Sequence, residues 1–284
     1  MNQLKTVMLM GVITVLLVLA GGSIGGQSGM IMALLIAFAL NVGSYWFSDK
    51  IVLSMYHARE VDESSAPWLY SAVRKLVANA GLPMPKVYVI PDAQPNAFAT
   101  GRDPQHAAVA VTEGITQMLN EDELEGVLAH ELAHVKHRDI LIGTIAATLA
   151  GAITMISRLG FFFGGSRDDN GGSPAGMLLM MILGPIAAML IQLGISRTRE
   201  YAADEGGAVI SGKPWALASA LRKMERGVQA RPMNAEPTTA HMFIVSPFSG
   251  GAIASLFSTH PPIAKRVEKL EAMVPGSGSA SVRR

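Results

Sequence analysis

The feature that most constrains this chain is a stretch over residues 6–48 that contains no charged side chain. A glycine-rich segment at 21–29 divides it into two apolar halves. Each half approaches the roughly 20 residues that a helix needs to cross a bilayer core about 30 Å thick. The stretch therefore predicts a transmembrane hairpin over 1–48, with Tyr45 and Trp46 at a membrane interface, where such rings are enriched.

The same segment also resembles a signal peptide. Lys5 is followed by an apolar run to Leu19 and by small residues around Ala20, which is the order of a secretory signal and its cleavage site. Cleavage there would remove the first span and leave the later segments facing the cytoplasm. The hairpin and the cleaved signal are alternatives at this end of the chain.

A second pair of apolar segments, 140–157 and 177–195, is joined by a glycine-rich polar segment. Their lengths favour a second transmembrane hairpin over 140–196. Arg158 and Pro185 are equally compatible with helices packed inside a large domain, so that alternative stays open.

Basic residues near the span ends predict the orientation. In a four-span arrangement most of them lie on one side of the membrane, and Arg167 lies on the other. By the positive-inside rule, both termini and the segments 49–139 and 197–284 then face the cytoplasm, in a multi-pass protein of the cell inner membrane. The basic residues on that side are Lys5, Lys50, Arg59, Lys136, Arg138, Arg197 and Arg199.

Composition excludes several classes of protein. Charged residues make up 16% of the chain, against about 25% in soluble domains, and the mean hydropathy is +0.33. A net charge of +1 without a basic run predicts no nucleic-acid partner. Because the chain has no cysteine, a metal site would need nitrogen and oxygen donors from His, Asp or Glu.

Outside the apolar segments, local patterns predict a mostly helical α+β domain with a small β-sheet. Apolar residues at helical spacing predict a helix over 66–80 that stops at Gly81. Short apolar runs predict strands at 86–90 and 106–111. The segment 96–101 between them fits a third strand or a loop at the edge of the sheet.

A metal-binding pattern lies inside the next helix, which begins with a capping-box signal at Asn120. Residues 130–134 have the sequence H-E-L-A-H, an H-E-x-x-H pattern. Two histidines one turn apart share a helix face, so the rings of His130 and His134 can reach one ion. Glu131 flanks that ion and can take a proton from metal-bound water as general base. A charge-rich surface helix is the alternative.

A protease zinc ion usually has three protein ligands and one open position. His137 lies about 10.5 Å along the helix from His130, too far for convergence, and is predicted to face solvent or a headgroup. Glu200, where the chain leaves the second apolar pair, is the leading third ligand. Asp204 is one turn further and can accept a hydrogen bond from a ligand histidine. A solvated acidic helix face is the alternative for these two carboxylates.

The segment H-E-L-A-H-V-K-H-R-D, followed by an apolar pair and then R-T-R-E-Y-A-A-D, resembles the M48 family of membrane zinc metalloproteases. The resemblance extends over nearly the whole chain, including N-A-F-A-T-G and S-T-H-P-P-I-A-K-R. It implies a zincin-like protease domain with one zinc ion bound by His130, His134 and Glu200. It also implies Glu131 as general base, with Asp204 supporting a ligand.

On this resemblance the expected activity is endoproteolysis in protein quality control. The substrates implied are misfolded or damaged membrane proteins, cleaved at the cytoplasmic face of the inner membrane, with the lipid bilayer as the other partner. The expected domains are the hairpin 1–48, a first protease part with the zinc helix 49–139, the second hairpin 140–196, a second protease part 197–275 and a flexible tail 276–284.

Three further residues or segments receive expectations with open alternatives. His260, in the segment that resembles the family's H-P-x-x-x-x-R, is predicted to stabilise the reaction's oxyanion, or else to be a turn residue. Arg266 either belongs to that motif or pairs with a surface carboxylate. Residues 96–99 are expected to align a substrate strand, unless Phe98 belongs to the core.

Two other functions compete with proteolysis. In the first, the chain is a non-catalytic membrane assembly factor whose zinc has a structural role. In the second, it is a membrane-anchored interaction module in which H-E-x-x-H occurs by accident. Stoichiometric zinc would exclude the second, and the effect of replacing Glu131 would separate the first from a protease.

Overall fold

The structure is a computed structural model that describes residues 2–150, 197–230, 244–245 and 261–274. Its helices are α1 (Asn2–Met55), α2 (Pro67–Ala80), α3 (Glu113–Met118), α4 (Glu121–Lys136), α5 (Ile140–Ala150), α6 (Arg197–Ser211), α7 (Pro214–Ala230) and α8 (Ile263–Ala272). Its strands are β1 (Arg59–Val61), β2 (Lys86–Ile90), β3 (Ala97–Gly101) and β4 (Ala107–Thr112). The expected α+β class, mostly helical with a small sheet, is confirmed.

Helix α1 contains the predicted hairpin, because two helices meet within it at Gly25 and Gly26. Gly26 has a left-handed φ of 57°, which an L side chain rarely adopts. The helices over 6–23 and 25–55 have mean hydropathies of 2.2 and 1.8, and less than a fifth of either apolar window is buried. Both are long and apolar enough to cross a membrane, and their exposure distinguishes them from core helices of a soluble domain.

Polar side chains join the two helices of the hairpin. The Asn41 Nδ2 atom donates to Thr14 Oγ1 at 2.8 Å, and Thr14 Oγ1 in turn donates to the carbonyl of Met10 at 2.9 Å. Interhelical hydrogen bonds of this kind hold helices together in lipid, where burial of apolar surface gives no driving force.

The sheet has the strand order β1-β2-β4-β3, with β2 and β4 parallel and the two outer pairs antiparallel. The segment 96–101 therefore contains the third strand, and this strand lies at an edge. All five residues of β3 are buried. Its alternate side chains face two different cores, which explains why sequence alternation alone did not settle its structure.

One face of the sheet contacts α2 and α4, the helix that carries the H-E-x-x-H pattern, and the other contacts α1. Ala97 and Ala99 belong to the core formed with α2 and α4. Phe98 belongs to a second cluster, with Val52 and Leu53 at the end of α1. Phe98 is thus a core residue.

The predicted second hairpin is described only at its beginning. Helix α5 is buried, and its Ile142 and Ile145 pack against Leu9 and Ile13 of α1. The rest of the segment 140–196 lies outside the described residues. The described part of α5 therefore connects the first hairpin to the domain that holds the sheet.

Helices α4 and α6 cross unusually closely because glycine occupies the contact. A Cβ atom added at Gly207 would lie 2.8 Å from the backbone nitrogen of His130 and 2.9 Å from its Cα. Alanines at 129, 133 and 203 occupy the same core. This crossing brings the first turn of α6 level with the histidines of α4.

We expect Gly207→Ala to separate these helices, since a Cβ contact under 3.0 Å with backbone cannot be relieved by a side-chain rotation. The unfolding free energy should fall by about 1–3 kcal/mol, the usual cost of overpacking, and metal affinity should fall with it. Thermal unfolding in detergent and metal titration measure the two effects. Gly43→Ala is the control, because a Cβ at Gly43 meets nothing within 4 Å. Equal behaviour of the two variants would contradict the prediction.

Candidate metal centre

Three side chains from two helices converge on one point. His130 and His134 come from α4 and Glu200 comes from α6, and one donor atom from each lies within 4.8 Å of the other two. The Nε2 atom of His130 is 3.7 Å from Glu200 Oε2, and that of His134 is 3.6 Å from Glu200 Oε1. Ligands about 2.0–2.2 Å from a tetrahedral zinc ion are separated by roughly 3.4 Å. The donor set and its spacing therefore fit such an ion.

Helix α4 holds the histidines rigidly because its beginning is well capped. The predicted capping box is present: Asn120 Oδ1 accepts from Glu123 N, and Glu123 Oε2 accepts from Asn120 N, both at 2.9 Å. Glu123 also accepts hydrogen bonds from Ser219 and Lys223 of α7. These contacts fix the first turn of α4 against α7.

The carboxylate of Asp204 lies behind the ring of His130. Its Oδ1 atom is 3.0 Å from His130 Nδ1, although the contact lies off the ideal direction for a hydrogen bond from that ring nitrogen. Arg266 of α8 binds the same carboxylate through two nitrogens, Nε at 2.8 Å and Nη2 at 2.7 Å. A carboxylate held in this way can support the ring of a metal-binding histidine.

Arg266 does not pair with a surface carboxylate, and that expectation is wrong. Its side chain is completely buried, and Nη1 donates to the carbonyl of Ile244 at 2.9 Å. The same nitrogen lies 3.8 Å from Glu200 Oε2. The burial of Arg266 was not predictable from the sequence. Arginine is rarely buried without a charged partner, and the partner here, Asp204, is 62 positions away.

The pKa values of Asp204 and His130 are both lowered, but for different reasons. Burial alone would raise the pKa of Asp204, but the charge and hydrogen bonds of Arg266 outweigh it and lower the pKa to about 2. Burial lowers the pKa of His130, despite the attraction of Asp204. His130 is therefore a neutral ring, the form that binds metal.

Glu131 lies beside the cluster and contacts the edge strand. It is 6% exposed, and its Oε2 atom accepts a hydrogen bond from Ala99 N at 3.0 Å. Burial raises the pKa of Glu131 to about 7, with a further contribution from the charge of Glu200. A carboxylate whose pKa lies near neutrality is suited to general acid and base chemistry.

His134 has a second carboxylate that sequence analysis missed. Asp139 Oδ2 lies 3.3 Å from His134 Nδ1. Burial lowers the pKa of His134, but the Asp139 hydrogen bond and the charges of Glu200 and Glu131 outweigh it and raise the pKa to about 8. The sequence signal was the acidic residue five positions after His134, shortly after the end of the H-E-x-x-H helix.

The other predicted residues have mixed outcomes. His137 is exposed, as expected, and it packs beside Gly206 of α6. His260 lies outside the described residues. Asn96 is 3% exposed, and within the described structure its Oδ1 atom has no hydrogen-bond partner.

The fold and the site define a class of protein, the membrane-anchored metallopeptidases with an H-E-x-x-H helix and a carboxylate from a later helix. Comparison with known proteins agrees. The model of Peptidase family M48 matches residues 63–274, and the chain belongs to that family. The family resemblance found in the sequence is thereby confirmed.

Relatives at high identity carry the name "Protease HtpX homolog". One from Syntrophotalea carbinolica is 57% identical over 279 residues, covering 96% of this chain and 99% of that relative. Another from Methylibium petroleiphilum is 58% identical over 278 residues, covering 96% and 98%. The chain is accordingly a membrane metalloprotease, and the accidental-motif alternative is excluded.

A solved structure shares the fold. The crystal structure of Ste24p from S. mikatae superposes with a TM-score of 0.52 at 18% identity, over 95% of this chain. This chain spans 65% of the Ste24p chain. The likeness therefore concerns the architecture of the helices and sheet.

Replacing Arg266 should be far more costly than replacing an exposed arginine. Arg266→Gln leaves the Asp204 carboxylate buried without its cation, which costs about 3–5 kcal/mol of unfolding free energy. Arg222→Gln is the matched control, because Arg222 pairs with Glu271 between α7 and α8 with both side chains over 40% exposed. Such a pair contributes about 0.2–1 kcal/mol. Chemical denaturation in detergent that gave similar losses for both would contradict the buried arrangement.

Metal-free protein should lose stability as the pH rises from 6.5 to 8. His134 has a folded-state pKa of about 8 against an ordinary 6.5, so its contribution is complete below pH 6.5 and is lost as the pH rises through about 8. Glu131, raised from 4.5 to about 7, acts in the same direction up to pH 7. His130 acts in the opposite direction near pH 6.5, because its folded-state pKa is lowered while an unfolded histidine still binds protons there. This gain is smaller than the loss from His134.

The measurement is the thermal midpoint with chelator present at several pH values. His134→Asn should flatten the profile. With metal bound the dependence should reverse, since protons compete with the ion for the same ring nitrogens. A chelated wild-type protein that gains stability between pH 6.5 and 8 would contradict the assignment.

Proposed function

We propose that the metal is zinc, one ion per chain, and that His130, His134 and Glu200 are its ligands. The observation that carries the proposal is the convergence of two imidazole nitrogens and a carboxylate oxygen within 4.8 Å. Two histidines and one glutamate, with a fourth position open, form the usual donor set of a catalytic zinc ion. The absence of cysteine from the chain is consistent with a catalytic site rather than a structural thiolate site.

Zinc bound at such a site would lower the pKa of the water bound to it and would polarise the carbonyl group of the peptide bond to be cleaved. Glu131 acts as the general base in this proposal. Its Oε2 atom is held by Ala99 N, which leaves Oε1 to accept the proton and pass it to the leaving amine nitrogen. Its pKa of about 7 suits both the uptake and the release of that proton near neutral pH.

Asp204 and Arg266 support the proposed ligand His130 without binding the ion themselves. Their paired contacts keep the Asp204 carboxylate ionised and directed at His130 Nδ1, which supports the ring that presents Nε2 to the ion. The buried arginine also offsets the negative charge that Glu200 and Glu131 bring to the site. His260 remains a prediction as a donor to the oxyanion.

The substrate is a polypeptide, and we propose that residues 96–99 align it. Strand β3 is the last strand of the sheet on this side, and the outer edge of β3 faces Glu131 of α4. A substrate strand beside this edge would have its scissile carbonyl near the proposed zinc ligands. Asn96, which directly precedes β3, has a buried Oδ1 atom without a hydrogen-bond partner among the described residues.

We further propose that the natural substrates are misfolded or damaged membrane proteins, cleaved at the cytoplasmic face of the inner membrane. Two contacts support a site close to the bilayer: Val52 and Leu53 of α1 pack directly against the sheet, and Arg102 lies 4.8 Å over the ring of Trp46. The basic residues near the span ends support the cytoplasmic orientation. The domain boundaries expected from the sequence stay a prediction, and the tail 276–284 lies outside the described residues.

Glu131→Gln tests the proposed base. The full-length variant in detergent, with zinc restored, should bind one zinc ion and lose about 10²–10⁴-fold in its cleavage of an unfolded protein, the usual contribution of a general base. Glu121→Gln is the matched control, because Glu121 is an exposed glutamate on the same helix. Glu200→Gln should instead lose zinc.

Two outcomes would overturn the proposal. Wild-type protein without stoichiometric zinc would remove the ligand assignment. Undiminished cleavage by Glu131→Gln would remove the base and would favour the structural role of zinc expected in the non-catalytic alternative.

A further inference from the structure

The end of α4 has a turn in which a residue other than glycine adopts a left-handed conformation. Arg138 has φ 57°, and the backbone nitrogen of Asp139 returns to donate to the carbonyl of His134 at 2.9 Å. Helices commonly end in this way, but glycine is the usual residue at the left-handed position. An arginine remains there only when contacts around it compensate the strain.

The turn places Asp139 against the metal centre. Asp139 is 7% exposed, and its Oδ2 atom lies 3.3 Å from Nδ1 of His134. The other ring nitrogen, Nε2, lies 3.6 Å from Glu200 Oε1. The two nitrogens of His134 thus have separate partners, one a carboxylate behind the ring and the other a proposed metal ligand.

Such an arrangement fixes the tautomer of a histidine. A carboxylate beside Nδ1 favours the proton on that nitrogen, which leaves the lone pair of Nε2 directed at the ion. His130 has a corresponding carboxylate in Asp204, held by Arg266. Asp139 is placed by the backbone turn at Arg138, and its charge also acts on Arg199 of α6.

We propose that Asp139 is the positioning residue for His134, and that the left-handed turn at Arg138 holds it in place. Asp139 orients the imidazole ring and keeps the proton on Nδ1, so that Nε2 is ready to bind the metal. The inference rests on the proposed metal site. It adds a residue of the segment V-K-H-R-D to a centre otherwise built from α4, α6 and α8.

A structural role for Asp139 is the alternative, because it directly precedes α5 and so occupies the N-cap position of that helix. Two substitutions separate the roles. Asp139→Ser keeps a good cap but is too short to reach His134, whereas Asp139→Asn keeps both a cap and an acceptor near Nδ1. Asp103→Ser is the matched control, because Asp103 caps a 3₁₀ turn and contacts the exposed His106 at 2.8 Å.

The experiment is a zinc titration of each full-length variant in detergent against a competing chromogenic chelator. Asp139→Ser should weaken zinc binding about 10- to 100-fold. Asp139→Asn should show a smaller loss, and Asp103→Ser should bind as the wild type does. Cobalt substituted for zinc gives a second measurement, since the visible absorption of Co²⁺ should change in Asp139→Ser if the His134 ring is reoriented.

A capping role alone predicts wild-type zinc affinity and an unchanged cobalt spectrum in Asp139→Ser, and that result would overturn the inference. If Asp139→Ser does not fold, Asp139→Asn decides: wild-type affinity and spectrum together overturn it, and a weakened affinity with an altered spectrum supports it. Failure of the proposed function is recognised separately, because the wild type would then bind no stoichiometric zinc.

Discussion

The metal centre depends on the close approach of two helix backbones. Glu200 is far in sequence from His130, and its carboxylate meets the histidines because α6 crosses α4 where Gly207 has no side chain. The distance between the backbones sets the distance between the donors. A centre of this kind therefore requires small residues at a position that takes no part in binding the ion, just as a catalytic group requires support from rigid elements.

A second requirement is electrostatic. The site buries several carboxylates near one another, and burial of unpaired charge is expensive. Arg266 makes the arrangement possible, because it is fully buried, binds Asp204 through two nitrogens and lies near Glu200. Helix α8, close to the end of the chain, thereby contributes to a site whose histidines lie on α4.

The parts of this protein that were predictable are those with a strong local period. The histidine spacing, the cap at Asn120 and the apolar hairpin follow from helix geometry, and the structure agrees. Residues that depend on distant partners were not predictable. The partner of Arg266 lies on another helix. The contact between Asp139 and His134 depends on a left-handed turn, and the residue at the left-handed position is Arg138 and not glycine, so the sequence gives no sign of the turn. Phe98 remained ambiguous because β3 is buried on both faces.

The second helix of the hairpin is 31 residues long, or about 46 Å, whereas a hydrocarbon core is about 30 Å thick. In the transmembrane hairpin expected from the sequence, its last turns would emerge from lipid. These turns join the core of the sheet through Val52 and Leu53, without an intervening linker. The domain that contains the metal centre is thus joined directly to this helix. In a hairpin that crosses the bilayer, the distance of the site from the headgroups would be fixed, and a peptide bond would have to reach that distance to be cleaved.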